Sequence, residues 1–154
     1  MCDGISYLIE FFPGIWISNS KTFTDRFLKQ KRIEKIIDCD KELNFFENAE
    51  NYIESIKNEI KKTNHQKLHK YLLDITENLY NTILKGESLV IYDPYGNRKA
   101  PVIIIAYLMR YGQLNPVQTI DSYLSKSKLP LKINDDYQLA LKLLYSKIQQ
   151  VKTS

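Results

Sequence analysis

The apolar residues of this chain fall into short clusters with two different spacings. Ile5 to Phe12 is apolar with few breaks, which suits a strand or a short amphipathic segment. Its aromatics would be a contact surface if exposed, but burial is the expected fate. Pro13-Gly14 marks a turn, and Ile15-Trp16-Ile17 reads as a strand that ends in the polar Ser18-Asn19. Trp16 is expected to be structural, at the core edge. Phe23, Phe27 and Leu28 recur at helical spacing and predict a helix over residues 21–30. Ile33 to Ile37 is the next strand and runs into Asp38-Cys39-Asp40. Residues 41–50 are polar around Phe45-Phe46, a loop or short helix. Tyr52, Ile53 and Ile56 predict a strand over residues 51–56. Leu68, Leu72, Ile75, Leu79 and Ile83 then make one stripe, with Tyr71 beside it. That stripe predicts a long helix over residues 63–85, opened by a Thr63/Gln66 capping box and closed by Gly86.

The densest apolar stretch is Leu89 to Gly112. Leu89-Val90-Ile91-Tyr92 is a buried strand. Residues 93–99, Asp-Pro-Tyr-Gly-Asn-Arg-Lys, form a polar loop. Ala100 to Tyr111 is an apolar helix with Pro101 in its first turn and Gly112 as its stop. A strand, a short loop and a helix N-terminus together build an anion cradle, because loop N–H groups and the helix dipole point at one spot. Arg98 and Lys99 place positive charge beside it. An ordinary turn with two solvated cations fits the same residues. Beyond it, Asn115-Pro116-Val117-Gln118 opens a helix carrying Ile120, Tyr123 and Leu124. Residues 125–130 are a connector. Asn134-Asp135-Asp136 starts the last helix, with acids where the dipole favours them. Tyr137, Leu141, Leu144, Ile148 and Val151 are its expected buried face, flanked by Leu139, Ala140 and Leu143. Strands and helices alternate, so the fold class is α/β: one small, mostly parallel twisted sheet with helices on both faces.

The chain has 154 residues, enough for one core, and a single domain over residues 1–154 is expected. Hydrophobic residues at 44% and charged residues at 26% are ordinary for a globular protein. The longest apolar run, Val102 to Met109, is far too short to span a bilayer, so no membrane association is expected. Two cysteines, Cys2 and Cys39, make no disulfide framework. With no secretory signal evident, an intracellular setting, cytoplasmic or nuclear, is expected. The net charge of +4 and pI near 8.9 permit acidic partners without identifying one. Abundant Ile, Lys, Asn and Tyr fit an AT-rich genome, that of a large DNA virus or a low-GC eukaryote.

Two further chemical candidates are weak. Cys39 lies between Asp38 and Asp40, whose charges raise a thiol pKa, so a structural role is expected for it. His65 and His69 sit one helical turn apart, a spacing that can bind a metal. Neither a Cys nor a third His accompanies them. They are expected to be surface residues, and neither a metal nor a cofactor is expected.

Ala106-Tyr107-Leu108-Met109, the Pro13-Gly14-Ile15-Trp16-Ile17 strand entry and Asn134 to Leu141 carry a resemblance to the dual-specificity phosphatases. These are the small branch of the cysteine-dependent protein tyrosine phosphatases. The resemblance covers residues 13 to about 144 and implies that family's fold. The family loop reads His-Cys-x-x-Gly-x-x-Arg-Ser. In its register Tyr92 stands at the His, Asp93 at the nucleophilic Cys, Gly96 at the Gly, Lys99 at the Arg and Ala100 at the Ser. A one-residue shift would put Arg98 at the Arg, but it would spoil both Gly96 and the helix register. The resemblance also implies a general acid after the strand at residues 51–56; Glu59 is the nearest candidate, and an exposed surface Glu is the preferred reading.

The retained frame and lost groups imply a pseudophosphatase. Asp93 has no sulfur, Lys99 lacks the planar fork of Arg, Pro94 removes an N–H, and Ala100 removes a hydroxyl. The expected function is a protein-binding or regulatory module, with a protein partner such as a phosphoprotein. An alternative is a phosphate reader in which Gly96, Asn97, Arg98 and Lys99 hold a phosphorylated protein or a nucleic-acid phosphate without cleaving it. Another is an unorthodox phosphatase that uses Asp93. A homo-oligomer stays open. Asp93 is expected to accept hydrogen bonds from loop N–H groups around Gly96 to Lys99, with Lys99 or Arg98 near enough to pair with it.

Overall fold

The computed structural model describes residues 7–20, 23–43, 54–94, 99–127 and 133–153. Four strands and six helices follow one another as β1 (Leu8–Phe12), β2 (Ile15–Ser18), α1 (Asp25–Gln30), β3 (Ile33–Asp38), α2 (Cys39–Glu42), α3 (Glu54–Leu84), β4 (Ser88–Tyr92), α4 (Ala100–Tyr111), α5 (Pro116–Ser127) and α6 (Asp135–Thr153). The sheet order is β1-β2-β4-β3. β2 and β3 both run parallel to β4, and only β1 is antiparallel, folded onto β2 by the Pro13-Gly14 turn. Gly14 has φ +94, and a Cβ there would come within 3.1 Å of Glu87 O, so both the turn and the packing demand glycine.

Side-chain alternation sorts the sheet into two faces. Ile15, Ile17, Ile37, Leu89 and Ile91 are buried together with residues of α3, α4, α5 and α6 in one core. Trp16 and Val90 are paired neighbours on the other face. There α1 lies, and Trp16 meets Phe27 edge-on with ring centroids 5.3 Å apart. Trp16 is half-buried, at the core edge as expected. Phe11 is buried and Phe12 half-buried, so burial wins for these aromatics of β1.

α4 is the centre of the second layer. From Ala100 to Ala106 every residue is buried, as are Leu108 and Met109. Such a helix needs neighbours on all sides, and α3, α5 and α6 pack around it. The polar Arg110 is not left stranded, because its guanidinium donates to Leu73 O at 2.7 Å and to Thr76 Oγ1 at 2.9 Å on α3. α4 ends at Gly112, where a Cβ would meet Leu108 O at 2.7 Å; the left-handed step then falls on Gln113, φ 58. α5 begins with a reciprocal box: Gln118 N–H donates to Asn115 Oδ1 and Asn115 N–H to Gln118 Oε1. Asn134 caps α6 by accepting from Tyr137 N–H at 2.9 Å.

Five sequence expectations need correction. Residues 54–56, expected in a strand, belong to α3; Tyr52 and Ile53 lie outside the described residues. Tyr52 and Ile56, four apart, fit both periods, and from Glu54 onward helix propagation from the strong downstream stripe wins. For the same reason Thr63 and Gln66 lie inside α3 and open nothing, while Gly86, φ +72, does close it. Val151 is 76% exposed, because α6 outlasts the core it packs on. Ser125 to Ser127 extend α5 instead of forming the connector. His65 and His69 are half-buried beside α6 rather than out on the surface, with His65 Nε2 3.5 Å from Asp136 Oδ1.

Replacing Ile103, Ile104 or Leu108 by Ala should cost about 2–5 kcal/mol in a denaturant titration. Near-neutral effects at all three would contradict the enclosure of α4.

Candidate functional site

β4 ends at Tyr92, and the chain must turn there to enter α4. Parallel pairing carries one step further, because Asp93 N–H donates to Ser18 O at 2.8 Å. This aims the Asp93 side chain from the carboxyl edge of the sheet toward the start of α4, and leaves it 1% exposed. Its Oδ2 accepts Lys99 N–H at 2.8 Å and Ala100 N–H at 3.0 Å. Thus the carboxylate does receive backbone donors, at Lys99 and at Ala100, one residue beyond the expected range.

Those bonds make Asp93 the cap of α4. Lys99, the residue before the helix, makes no side-chain cap bond. The first turn would leave its N–H groups without helical partners. Ala100 N–H goes to Asp93, Pro101 has no N–H, and Val102 N–H returns to Lys99 O at 3.0 Å. A negative charge at this end is also favoured by the helix dipole.

Lys99 is held at both ends. While its N–H serves Asp93, its Nζ lies 3.3 Å from Asp40 Oδ1 and its side chain is only 11% exposed. Asp40 is a residue whose part in the site the sequence reading did not single out. The signal was there: Asp38-Cys39-Asp40 closes the strand next to β4, so it reaches the same sheet edge. Asp38 caps α2, accepting from Asp40 and Lys41 N–H groups. Tyr92 is half-buried between Ser18 and Asp38 in the strand register. Gly96, Asn97 and Arg98 lie outside the described residues, as does Tyr95.

Cys39, the free thiol among the described residues, is fully buried in α2. Burial pushes its pKa well up, and the negative charges of Asp93, Glu42 and Asp38 push it further; Lys99 opposes them. A nucleophilic thiolate needs the opposite surroundings. Glu59, the nearest general-acid candidate, is an exposed residue inside α3. Among the described residues, no three His, Cys, Asp or Glu side chains gather in a way that holds a metal ion. None of the described helices is long and apolar enough to cross a membrane.

The family model for the dual specificity phosphatase catalytic domain matches residues 15–147. Among solved structures, the chain is similar to a leucine rich repeat and phosphatase domain containing protein from Entamoeba histolytica, at 18% identity, with 94% of each chain covered and a TM-score of 0.66. It is also similar to human DUSP28, at 12% identity, covering 92% of this chain and 95% of that one, with a TM-score of 0.67. A third likeness is to the human tyrosine phosphatase-like serine/threonine/tyrosine-interacting protein, at 15% identity, covering 93% of this chain and 97% of that one, with a TM-score of 0.66. At these identities the structural matches speak to the fold. A search of curated proteins by sequence finds no match.

A thiol reagent at neutral pH should modify Cys39 at least about tenfold more slowly in the native protein than after denaturation, measured in a Cys2→Ser background. Equal rates would contradict both the burial of Cys39 and its raised pKa.

Proposed function

The chain belongs to the dual-specificity phosphatase family, and from that premise we propose that it is a catalytically inactive member that works by binding a protein. The observation that carries this reading is the Asp93 carboxylate, buried and bonded to Lys99 and Ala100 N–H groups at the head of α4. In the family register Asp93 stands where the nucleophilic thiolate would be. It offers no sulfur, and it supplies its own anion to N–H groups that would otherwise face a substrate phosphoryl group.

The electrostatics favour the same conclusion. Two like unit charges about 4 Å apart repel by about 4 kcal/mol at an effective dielectric constant near 20. An incoming phosphate dianion therefore meets a fixed negative charge where the family presents one that is consumed in covalent chemistry. Lys99, at the family Arg position, cannot grip phosphate with a planar fork, and its ammonium lies beside Asp40. Acyl-phosphate chemistry on Asp93 would need a divalent ion to offset the charge, which disfavours an unorthodox phosphatase. A phosphate reader would draw on Gly96, Asn97, Arg98 and Lys99, and the Lys99 N–H is already taken by Asp93. Support for a binding role also comes from the human phosphatase-like neighbour, which is named as an interacting protein.

Wild-type protein should not hydrolyse phosphotyrosine, phosphothreonine or an aryl phosphate above background, and Asp93→Cys should restore little, because Lys99, Ala100 and Pro94 remain. Metal-independent turnover that Asp93→Ala abolishes would overturn the reading.

A second measurement separates a self-filled loop from a phosphate reader. Asp93→Ala should cost about 1–3 kcal/mol of stability by leaving donors without their acceptor. The same change should raise the affinity for sulfate in a calorimetric titration. Tight sulfate binding by the wild type, unchanged or weakened in the variant, would favour the phosphate reader.

A further inference from the structure

The chain holds two histidines, His65 and His69, and both line one cavity of about 250 Å³ between α3 and α6. Imidazole is the side chain whose unperturbed charge change falls between about pH 5 and 8. The groups that titrate near neutrality are therefore gathered at one helix seam.

The two imidazoles meet opposite surroundings. They lie one turn apart on α3 and share a helix face. His65 Nε2 is 3.5 Å from Asp136 Oδ1 on α6, so a charged His65 would face an anion. The charges that bear on His69 are the cations Lys147 and Arg110. Lys147 reaches it across the seam from α6, beside Ala140 and Leu143. Arg110 comes from α4, and its guanidinium is tied to Leu73 O and Thr76 Oγ1, so it cannot turn away without losing both bonds. On α3 itself the positions one turn from His69 are His65, Gln66, Leu72 and Leu73, none of them acidic. The His69 Nδ1 atom is buried and has no hydrogen-bond partner among the described residues.

A neutral His69 fits this place and a charged one does not. The neutral ring can leave Nδ1 as a bare lone pair. An imidazolium must put a proton on it, and that proton would be buried with no acceptor. The new charge would also face two others of the same sign. Burial first, then Lys147 and Arg110, hold the His69 pKa below the 6.5 of a free imidazole. The unfolded chain then takes up a proton at His69 more readily than the folded one. Stability is thus full above pH 6.5 and falls as acid carries the pH through 6.5 and down past the folded-state value.

We propose that His69 makes the α3–α6 seam a pH-sensitive latch, closed while the imidazole is neutral and loosened when acid protonates it. The helix it holds has a further contact that matters. The Tyr137 hydroxyl of α6 donates to Leu43 O, just past α2, and α2 carries the Asp40 that meets Lys99. The latch would work alike in an active or an inactive member of the family.

The test uses the full chain. Amide hydrogen exchange is followed at about pH 7.5 and about pH 5.5, each rate being divided by its intrinsic value at that pH. Protection of the α6 amides should fall at least about threefold in acid, and the urea midpoint should fall with it. His69→Gln should remove both losses. His65→Gln should keep them, because a charged His65 beside Asp136 opposes the loss. Lys147→Glu changes an exposed residue and so keeps the test valid should His69→Gln fail to fold. It turns one facing cation into an anion and should shrink the acid loss. With two imidazoles in the chain, proton NMR reads each one separately, and the His69 signal should titrate below pH 6.5.

Alpha-6 protection that acid leaves unchanged overturns the proposal. So does an acid loss that persists undiminished in His69→Gln or in Lys147→Glu. A His69 signal that titrates at or above pH 6.5 would overturn it as well.

Discussion

A helix that is apolar all round cannot lie on a surface. Between Ala100 and Ala106 no residue of α4 is more than 1% exposed among those of the core, and the sheet closes one side with Ile15, Ile17, Leu89 and Ile91. The remaining sides must be covered by other helices, and α3, α5 and α6 do so. This one requirement sets most of the architecture. It explains why α3 carries its stripe of Leu68, Leu72, Ile75 and Leu79, and why Tyr123, Leu141 and Leu144 face inward. It also explains why Arg110, near the end of α4, finds its acceptors on α3 and not in water.

The same enclosure creates an electrostatic problem at the head of α4. A buried helix N-terminus presents N–H groups and a positive dipole end in a place where water cannot serve them well. Some anion or acceptor has to be there. In this chain Asp93 meets the need permanently, from seven residues upstream of the Ala100 N–H that it accepts. Pro101 helps by having no N–H to satisfy. The carboxylate therefore caps a buried helix end, and the Lys99 and Ala100 N–H groups that it binds are not open to another anion.

Much of this was legible in the sequence, and the reasons differ by element. β4 and α4 could be read almost to the residue, because a β-branched run, a first-turn proline and a terminal glycine each restrict the backbone strongly. The caps of α5 and α6 were equally plain, since Asn115 and Asn134 act on partners three residues away. The start of α3 is ambiguous because Tyr52 and Ile56, four apart, suit either period, and what decides residues 54–56 is the long helix that follows. Val151 was misplaced for a related reason: periodicity says which face a residue occupies but not where the opposing core ends. Asp93 stood out only through the family register. Asp40 stayed hidden because its link to Lys99 spans 59 positions and depends on β3 lying beside β4.

α4 also runs from the Asp93 carboxylate to a groove between α5 and α6. Its first residue donates to Asp93, and Ile105, five residues on, floors the groove between α5 and α6. At 1.5 Å per residue these points are about 7.5 Å apart along the helix axis. Both belong to one helix whose residues from Ala100 to Ala106 are all buried. Filling the cradle with an internal carboxylate holds the head of that helix in place without any substrate. On the proposed reading, the carboxylate at the thiol's register position also fixes the start of α4, which is how loss of the nucleophile and a binding role would go together.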